Sequence, residues 1–235
     1  MRARPMPPVV LSASLLREGP FDFGRGLDML YEAGFHTVCS REELAAYASA
    51  FPPAYEARKT GHTEIAFIQK DYPAYCRRFG FRLPLSDEEV EYAVLSRMEE
   101  VEPEDGVEDA LGVLAGRGVR MYVLTNSIFL APSQERLLRE HGIGRFFEAV
   151  FASADSGRRK PARAFFEYGI GRVLRDNPGA SRRDLVFVGN DLTADIRGGL
   201  AAGLRSVWYN AAGRPASPDL PVAVIGSMRE LPDIL

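Results

Sequence analysis

The sequence predicts an α/β protein, in which a Rossmann-like parallel sheet core carries an inserted all-helical cap domain. Two observations predict this fold class. After about residue 118, short apolar segments alternate with helical segments, and such strand–helix repeats are typical of right-handed βαβ units with a parallel sheet. Between about residues 20 and 105 the chain lacks strand patterns and contains helix-start signals. We therefore expect a core of residues 1–19 and 106–235 and a helical cap of residues 20–105.

Composition and charge limit the classes of protein to which this chain can belong. The chain has 235 residues, of which 46% are hydrophobic and 26% charged, an ordinary globular composition. A formal net charge of −3 and scattered lysines and arginines give no basic surface for nucleic acid. The apolar run near the N-terminus is short and interrupted by prolines, so we expect no signal peptide and no membrane span. The two cysteines lack metal-ligand spacing, which favours a cytoplasmic protein.

The first strand of the core is predicted at residues 8–11, an apolar run that leads directly into Ser12. Two capping boxes then mark helix starts in the predicted cap: Ser40 with Glu43, and Ser86 with Glu89. Aromatic and aliphatic residues recur at helical spacing between these boxes. A helical insertion after the first strand can cover the carboxyl ends of the strands, where α/β proteins bind ligands.

The second half of the chain predicts five further strands, at residues 120–126, 149–153, 184–189, 206–209 and 222–225. Helices are predicted at residues 134–140, after Pro161, and at 193–202. Proline is favoured in the first turn of a helix, and Gly203 is a typical helix stop. The segment 184–189 is continuously apolar, as in a strand that is buried on both faces.

Thr125 and Asn126 end one predicted strand, and Lys160 lies just before the helix that begins near Pro161. Hydroxyl and backbone amide groups at a strand end can hold an anion, and a lysine ammonium can neutralise phosphate charge. Taken singly, Thr-Asn-Ser is often only a turn or a helix cap, and a lone lysine is usually a surface residue. Their placement after successive strands favours an anion site.

Asn190, Asp191 and Asp195 follow the predicted strand 184–189 and open the next helix. Paired carboxylates in this position suit a hard cation such as Mg²⁺, which prefers oxygen ligands. The alternative is that Asp191 caps the helix and Asp195 is an acid in its first turn, favourable to the helix dipole.

These segments together resemble the haloacid dehalogenase superfamily of hydrolases, most of which are phosphatases. The family's second motif, a strand that ends in Ser or Thr, matches Thr125, and its third, a Lys before Pro, matches Lys160. Its fourth, Gly-Asn-Asp with a later Asp, matches residues 189–191 and Asp195. The helical insertion also lies where one branch of the family carries its cap. The resemblance implies a phosphate pocket formed by Thr125, Asn126 and Lys160, and magnesium ligands at Asp191, Asp195 and Asn190.

The first motif departs from this pattern. The family has Asp-x-Asp after the first strand, where the first Asp is the nucleophile and a magnesium ligand and the second is the general acid/base. This chain has Ser12 and Ser14 at those positions. A serine hydroxyl needs a base to become a nucleophile, and serine is a poor proton donor to a leaving group. We therefore expect impaired catalysis and weakened magnesium binding.

Three functions remain open from the sequence. The first is a phosphatase-type hydrolase scaffold that has lost its activity and binds a small phosphorylated metabolite. The second is an active Mg²⁺-dependent phosphohydrolase that uses another carboxylate, such as Asp22, although a Gly-Pro turn and not a strand precedes that residue. The third is a non-catalytic, partner-binding protein whose cap is the interaction surface. No pattern indicates an oligomeric state. The basic residues of the cap are interpreted as a solvated helix face: Arg58, Lys59, Lys70, Arg77 and Arg78.

Overall fold

The computed structural model describes residues 6–12, 15–18, 22–33, 40–49, 51–98, 100–215, 220 and 222–235. Ser14, one of the two first-motif serines, lies outside the described residues. Among the helices of the described ranges, none has the length and apolar character needed to cross a membrane.

Eight strands are described: β1 (Val9–Leu11), β2 (Leu16–Glu18), β3 (Val101–Pro103), β4 (Met121–Thr125), β5 (Phe147–Ala152), β6 (Val186–Gly189), β7 (Arg205–Tyr209) and β8 (Ala223–Ile225). Six of them form one sheet in the order β5-β4-β1-β6-β7-β8. Every pairing in this sheet is parallel. The predicted α/β, Rossmann-like core is confirmed.

The three central strands end together at one edge of the sheet. Every residue of β1, β4 and β6 is buried, as expected for strands covered by helices on both faces. Leu11 of β1 pairs with Val123 of β4 on one side and with Val188 of β6 on the other. The residues that follow these strands are therefore brought to a common carboxyl edge, which we call the ligand edge.

The helices are α1 (Phe23–Ala33), α2 (Arg41–Ala48), α3 (Phe51–Thr60), α4 (Asp71–Phe79), α5 (Asp87–Met98), α6 (Val107–Gly116), α7 (Ala131–Glu140), α8 (Ser153–Ser156), α9 (Arg163–Asp176), α10 (Gly198–Ala201) and α11 (Leu231–Ile234). The predicted helix 193–202 is divided: a π-helical turn, Leu192–Arg197, precedes α10. The Asp191 carbonyl accepts from the amides of both Asp195 and Ile196, and the bond to Ile196 spans five residues, as in a π-helix.

Helices α1 to α5 lie between β2 and β3 in the chain; we use the word cap for the segment that contains these helices and the word core for the rest of the chain. Both predicted capping boxes are present. The Ser40 amide donates to Glu43 at 2.9 Å, and the Ser86 amide donates to Glu89 at 2.8 Å. The antiparallel pair of β2 and β3 flanks these helices, and β3 contradicts the expected absence of strands between residues 20 and 105. Each of these strands has three residues, too few for a period of two to be recognised in the sequence.

Aromatic side chains form the interior of the cap. Phe23 of α1 stacks on Phe51 of α3 with ring centroids 3.7 Å apart, and Phe67 meets Phe23 edge-on. Burying a phenylalanine contributes about 1.5–3 kcal/mol to stability. These rings belong to the same apolar cluster as β1 and β4, so cap and core share one hydrophobic interior.

Arg58 departs from the predicted solvated face. Its side chain is 7% exposed and its guanidinium binds the Asp71 carboxylate at 2.8 Å. It also lies over the Phe51 ring at 5.8 Å. The acid in the first turn of α4 supplies the partner that makes this burial possible, whereas Lys59, Lys70, Arg77 and Arg78 are exposed.

Candidate active site at the ligand edge

Ser12 lies at the centre of the ligand edge, directly after β1. The residue is 3% exposed, and its amide donates to the Val188 carbonyl of β6 at 2.8 Å. Because β1 lies between β4 and β6, Ser12 is flanked by the residues that follow both neighbouring strands.

Asn126 connects the end of β4 to the segment that carries Lys160. Its Oδ1 accepts from the Lys160 amide at 2.7 Å, and its Nδ2 donates to the Lys160 carbonyl at 3.1 Å. Thr125, the last residue of β4, is 4% exposed. The structure thus brings Thr125, Asn126 and Lys160 together at the ligand edge.

The Lys160 ammonium is buried in the core, unlike an ordinary surface lysine. Its Nζ donates to the Leu124 carbonyl at 2.7 Å and to Asp195 Oδ1 at 2.8 Å. It also lies 5.4 Å from the centroid of the Phe187 ring. An ammonium group has three N–H donors, so one N–H is without a hydrogen-bond partner among the described residues.

Asp195 organises the turn after β6. Its Oδ2 accepts from the amides of Asn190 and Asp191, both at 3.1 Å, while Oδ1 binds Lys160. The residue is 2% exposed. A Cβ at Gly189 would come within 2.4 Å of the Asp195 Cβ, so the close approach requires glycine at that position. Asp195 is therefore the counter-ion of Lys160 and the acceptor for two backbone amides.

Asp191 is exposed and caps the π-helical turn. Its Oδ1 accepts from the amides of Thr193 and Ala194, at 2.8 and 2.7 Å. This is the capping role that the sequence offered as an alternative to metal binding. Its Oδ2 has no hydrogen bond to any described residue.

Trp208 and Arg214 bind the backbone of Asn190, the residue before Asp191, and neither was predicted from the sequence as a site residue. Trp208 Nε1 and Arg214 Nη2 both donate to the Asn190 carbonyl, at 3.1 and 2.6 Å. Trp208 stands in a predicted apolar strand, and no sequence pattern shows that its indole N–H reaches the neighbouring turn. The Asn190 peptide is consequently fixed from both sides, by Asp195 at its amide and by these two donors at its carbonyl.

Few charged oxygen atoms near this turn are without another partner in the described part of the chain. Among the described residues, no group of three or more His, Cys, Asp and Glu side chains could hold a metal ion. Asp195 engages both of its oxygens, which leaves Asp191 Oδ2 as the charged donor, with neutral oxygens on Asn190 and Ser12. Magnesium sites in proteins use one or two carboxylates and several waters, so this set lies at the lower limit.

Residues 62–64 of the cap attach it to the segment that precedes Lys160. The Glu64 amide donates to the Gly157 carbonyl, and the Arg159 amide donates to the His62 carbonyl. The Glu64 carboxylate binds the Arg159 guanidinium at 3.1 Å, with 0% and 7% side-chain exposure. Burial raises the pKa of Glu64, and the positive charge of Arg159 opposes that rise.

Glu91 of α5 forms a second contact between cap and core. Its Oε2 accepts from the Leu130 amide at 3.2 Å and from the Ser133 hydroxyl at 2.8 Å, so it caps the start of α7. Its Oε1 is buried and has no hydrogen-bond partner. Burial, with a smaller contribution from Asp155, raises the pKa of Glu91 to about 7. No sequence pattern indicates this role, because Glu91 and Ser133 are far apart in the chain.

We expect Glu91 to make stability depend on pH between about 4.5 and 7. A carboxyl group whose pKa is higher in the folded than in the unfolded state binds its proton preferentially when folded, so its stabilising effect is complete below about pH 4.5 and is lost as the pH rises to about 7. Over this window the free energy of unfolding should fall by about 3 kcal/mol relative to Glu91→Gln. Urea unfolding of both chains at several pH values measures the difference.

Glu89→Gln is the matched control for Glu91. Glu89 lies on the same helix, but hydrogen bonds from Ser86 lower its pKa below the ordinary value. The contribution of Glu89 to stability therefore changes below about pH 4.5. Above that pH, the free energy of unfolding of Glu89→Gln should depend on pH in the same way as that of the unmodified chain. If the free energy of unfolding of Glu91→Gln also followed the pH dependence of the unmodified chain, the raised pKa of Glu91 would be contradicted.

Asp22 is a helix cap and does not follow a strand of the sheet. Its Oδ1 accepts from the Gly24 amide at 2.9 Å, and its own amide donates to the Met98 carbonyl of α5 at 3.0 Å. The acid therefore stabilises the start of α1 in the cap.

Comparison with known proteins places this site in a family. A family model described as haloacid dehalogenase-like hydrolase matches residues 40–203. The HAD-hydrolase YfnB of Bacillus subtilis (strain 168) is 35% identical over 116 residues, which are 49% of this chain and 47% of YfnB. The pyrimidine 5'-nucleotidase YjjG of Escherichia coli (strain K12) is 26% identical over 217 residues, which are 92% of each chain. The chain thus aligns with about half of YfnB and with most of YjjG.

Solved structures agree in fold. The crystal structure of a HAD phosphatase from Thermococcus onnurineus has a TM-score of 0.64 at 20% identity and covers 97% of each chain. That of YfnB, bound to magnesium, has a TM-score of 0.59 at 23% identity and covers 99% of each chain. The family match spans well over half of the sequence, and the motif residues after β4 and β6 lie within it. This chain therefore belongs to the haloacid dehalogenase-like hydrolases.

Proposed function

We propose that this chain is a phosphatase-type member of the family whose hydrolytic activity is impaired and which binds a small phosphorylated metabolite at the ligand edge. The observation that carries the proposal is Ser12, a neutral and buried side chain at the centre of the edge, where family members have their nucleophile. An ionised carboxylate attacks phosphorus directly, whereas a serine hydroxyl must first lose a proton.

The phosphate pocket is proposed to consist of Thr125, Asn126 and Lys160. Asn126 fixes the Lys160 backbone by two hydrogen bonds, and the third N–H of the Lys160 ammonium is available to a phosphate oxygen. Charge-assisted hydrogen bonds of this kind are the strong ones. Among the relatives, YjjG is a pyrimidine 5'-nucleotidase, and this supports a phosphate ester as the ligand class.

Magnesium is proposed as an optional and weakly bound partner of this site. Asp191 Oδ2 and the Asn190 side chain would hold the ion, whereas Asp195 serves Lys160 instead of the metal. A bound ion would neutralise charge on a phosphoryl oxygen. The structure of YfnB, which shares this fold, is bound to magnesium, and this supports magnesium as the cation.

A rival proposal is an active hydrolase that uses a different carboxylate, and the described acids offer it little support. Asp22 caps α1, Glu64 is paired with Arg159, and Asp195 is paired with Lys160. Asp191 keeps one carboxylate oxygen without a partner among the described residues, but that residue is a helix cap beside β6 and does not follow the central strand β1.

The proposal predicts binding without turnover. Isothermal titration with glycerol 3-phosphate should show saturable binding, and glycerol should show none, because the phosphate group supplies the charge-assisted contacts. Thr125→Val keeps the side-chain shape but removes the hydroxyl, and we expect it to weaken binding by about tenfold.

Thr60→Val in the cap is the matched control, since Thr60 is exposed and its hydroxyl donates to the Glu56 carbonyl. Its affinity for glycerol 3-phosphate should equal that of the unmodified chain. Equal affinity of the Thr125 and Thr60 variants for glycerol 3-phosphate would contradict the proposed pocket. Rapid release of inorganic phosphate by the unmodified chain would instead support the rival hydrolase.

A further inference from the structure

The loop after β7 folds back over the ligand edge and places Arg214 there. Asn210 closes this loop: its Nδ2 donates to the Arg214 carbonyl at 2.8 Å, and its Oδ1 accepts from the Arg214 amide at 2.9 Å. The guanidinium then lies over the Trp208 ring at 5.3 Å, and Nη2 donates to the Asn190 carbonyl at 2.6 Å. Backbone and side chain of Arg214 are thus both held in place.

Arg214 lies on the same edge of the sheet as Ser12. Asn190 directly follows β6, and the Ser12 amide bonds to Val188, two residues earlier. Two residues of extended chain and one hydrogen bond at each end place the guanidinium within roughly 12 Å of the Ser12 amide. A three-carbon phosphate ester with a polar contact at each end can bridge such a gap.

The charges at the ligand edge indicate that a further cation, such as Arg214, would help to bind an anionic ligand. The Lys160 ammonium is offset by Asp195 at 2.8 Å, and Asp191 adds a further negative charge. The Arg159 guanidinium is paired with Glu64. Without another cation, an anionic ligand would meet a net negative site. In the described part of the chain no carboxylate lies within ion-pair distance of Arg214, which is exposed.

Resting on the proposed function, we propose that Arg214 binds a carboxylate of the same phosphorylated ligand. Its Nη2 uses one N–H for Asn190, and the remaining donors of the guanidinium have no hydrogen-bond partner among the described residues. These donors form a planar fork that matches the two oxygens of a carboxylate. Arg214 is therefore a specificity residue that selects phosphate esters with a second anionic group.

Two ligands that differ only in this group test the inference. 3-Phosphoglycerate carries a carboxylate where glycerol 3-phosphate carries a hydroxymethyl group. Isothermal titration in the presence of a chelator should show that the unmodified chain binds 3-phosphoglycerate about tenfold more tightly. Arg214→Ala should reduce the ratio of the two dissociation constants to about one. Arg214→Lys should keep part of the preference, since it retains the charge but not the fork.

Arg183→Ala is the matched control. Arg183 is an exposed arginine that precedes β6, at the opposite end of the same strand. Its removal changes net charge equally, so the tenfold preference should persist. A preference that survives in Arg214→Ala, or that is absent from the unmodified chain while glycerol 3-phosphate still binds, overturns the role of Arg214 alone. Failure of both ligands to bind overturns the proposed function, and the role of Arg214 with it.

Discussion

Replacing both first-motif serines by aspartate should raise magnesium-dependent hydrolysis of an aryl phosphate by about 10⁴-fold. Ser12→Asp would supply a nucleophilic carboxylate at the centre of the ligand edge, next to the turn that carries Asp191. Ser14→Asp would restore the family's general acid/base. Each role is typically worth about a hundredfold or more, and the product of the two gives the expected size.

Magnesium affinity should rise in the same variant, and this readout is independent of turnover. The present site offers one carboxylate oxygen, Asp191 Oδ2, that has no partner among the described residues. Ser12→Asp would add a second carboxylate, and protein magnesium sites use one or two. Titration calorimetry with Mg²⁺ should therefore detect tighter binding to the variant than to the unmodified chain.

The matched control replaces the same serines by asparagine. Asparagine has nearly the shape of aspartate but neither its charge nor its nucleophilic oxygen, so Ser12→Asn with Ser14→Asn should leave hydrolysis at its original level. Hydrolysis by the unmodified chain at a rate close to that of the aspartate variant would contradict the impaired-site proposal. Asp191 would then be the next candidate for the nucleophile.

The placement of the motif residues followed from the predicted topology. Parallel strands share one carboxyl edge, so alternating strands and helices were enough to predict that Thr125, Lys160 and Asp191 approach one another. The structure brings them to that edge through the pairing of β1 with β4 and β6. The capping boxes at Ser40 and Ser86 were equally readable, because both partners lie three residues apart.

The contacts between side chains distant in sequence could not be predicted. Asp195 was expected as a metal ligand or a first-turn acid, yet the structure pairs it with Lys160, which is 35 residues earlier. Which oxygen of an acid faces which donor depends on the packing of whole strands and helices. A residue pattern does not contain that information. For the same reason, the sequence does not predict the hydrogen bond from Arg214 to Asn190 or the contacts of Glu91 at the start of α7.

Lys160→Met should destabilise the chain by about 3–5 kcal/mol, because it leaves the buried Asp195 carboxylate without its cation. Methionine has a similar length and no charge, so the change removes the ion pair with little loss of volume. The two side chains are 4% and 3% exposed, and water cannot replace the lost partner. Urea unfolding monitored by circular dichroism measures the free energy of unfolding.

Lys59→Met supplies the control and the comparison that decides the origin of the loss. The Lys59 ammonium binds Glu56 at 2.6 Å, but these side chains are 42% and 64% exposed, and exposed pairs contribute about 0–1 kcal/mol. A similarly small loss for Lys160→Met would show that Asp195 is satisfied by its two backbone amides alone. A large loss that Asp195→Asn partly reverses in the double variant would instead show that the unpaired charge is the cause. In that case the buried pair sets the position of the Lys160 ammonium, whose remaining N–H is the proposed contact to phosphate.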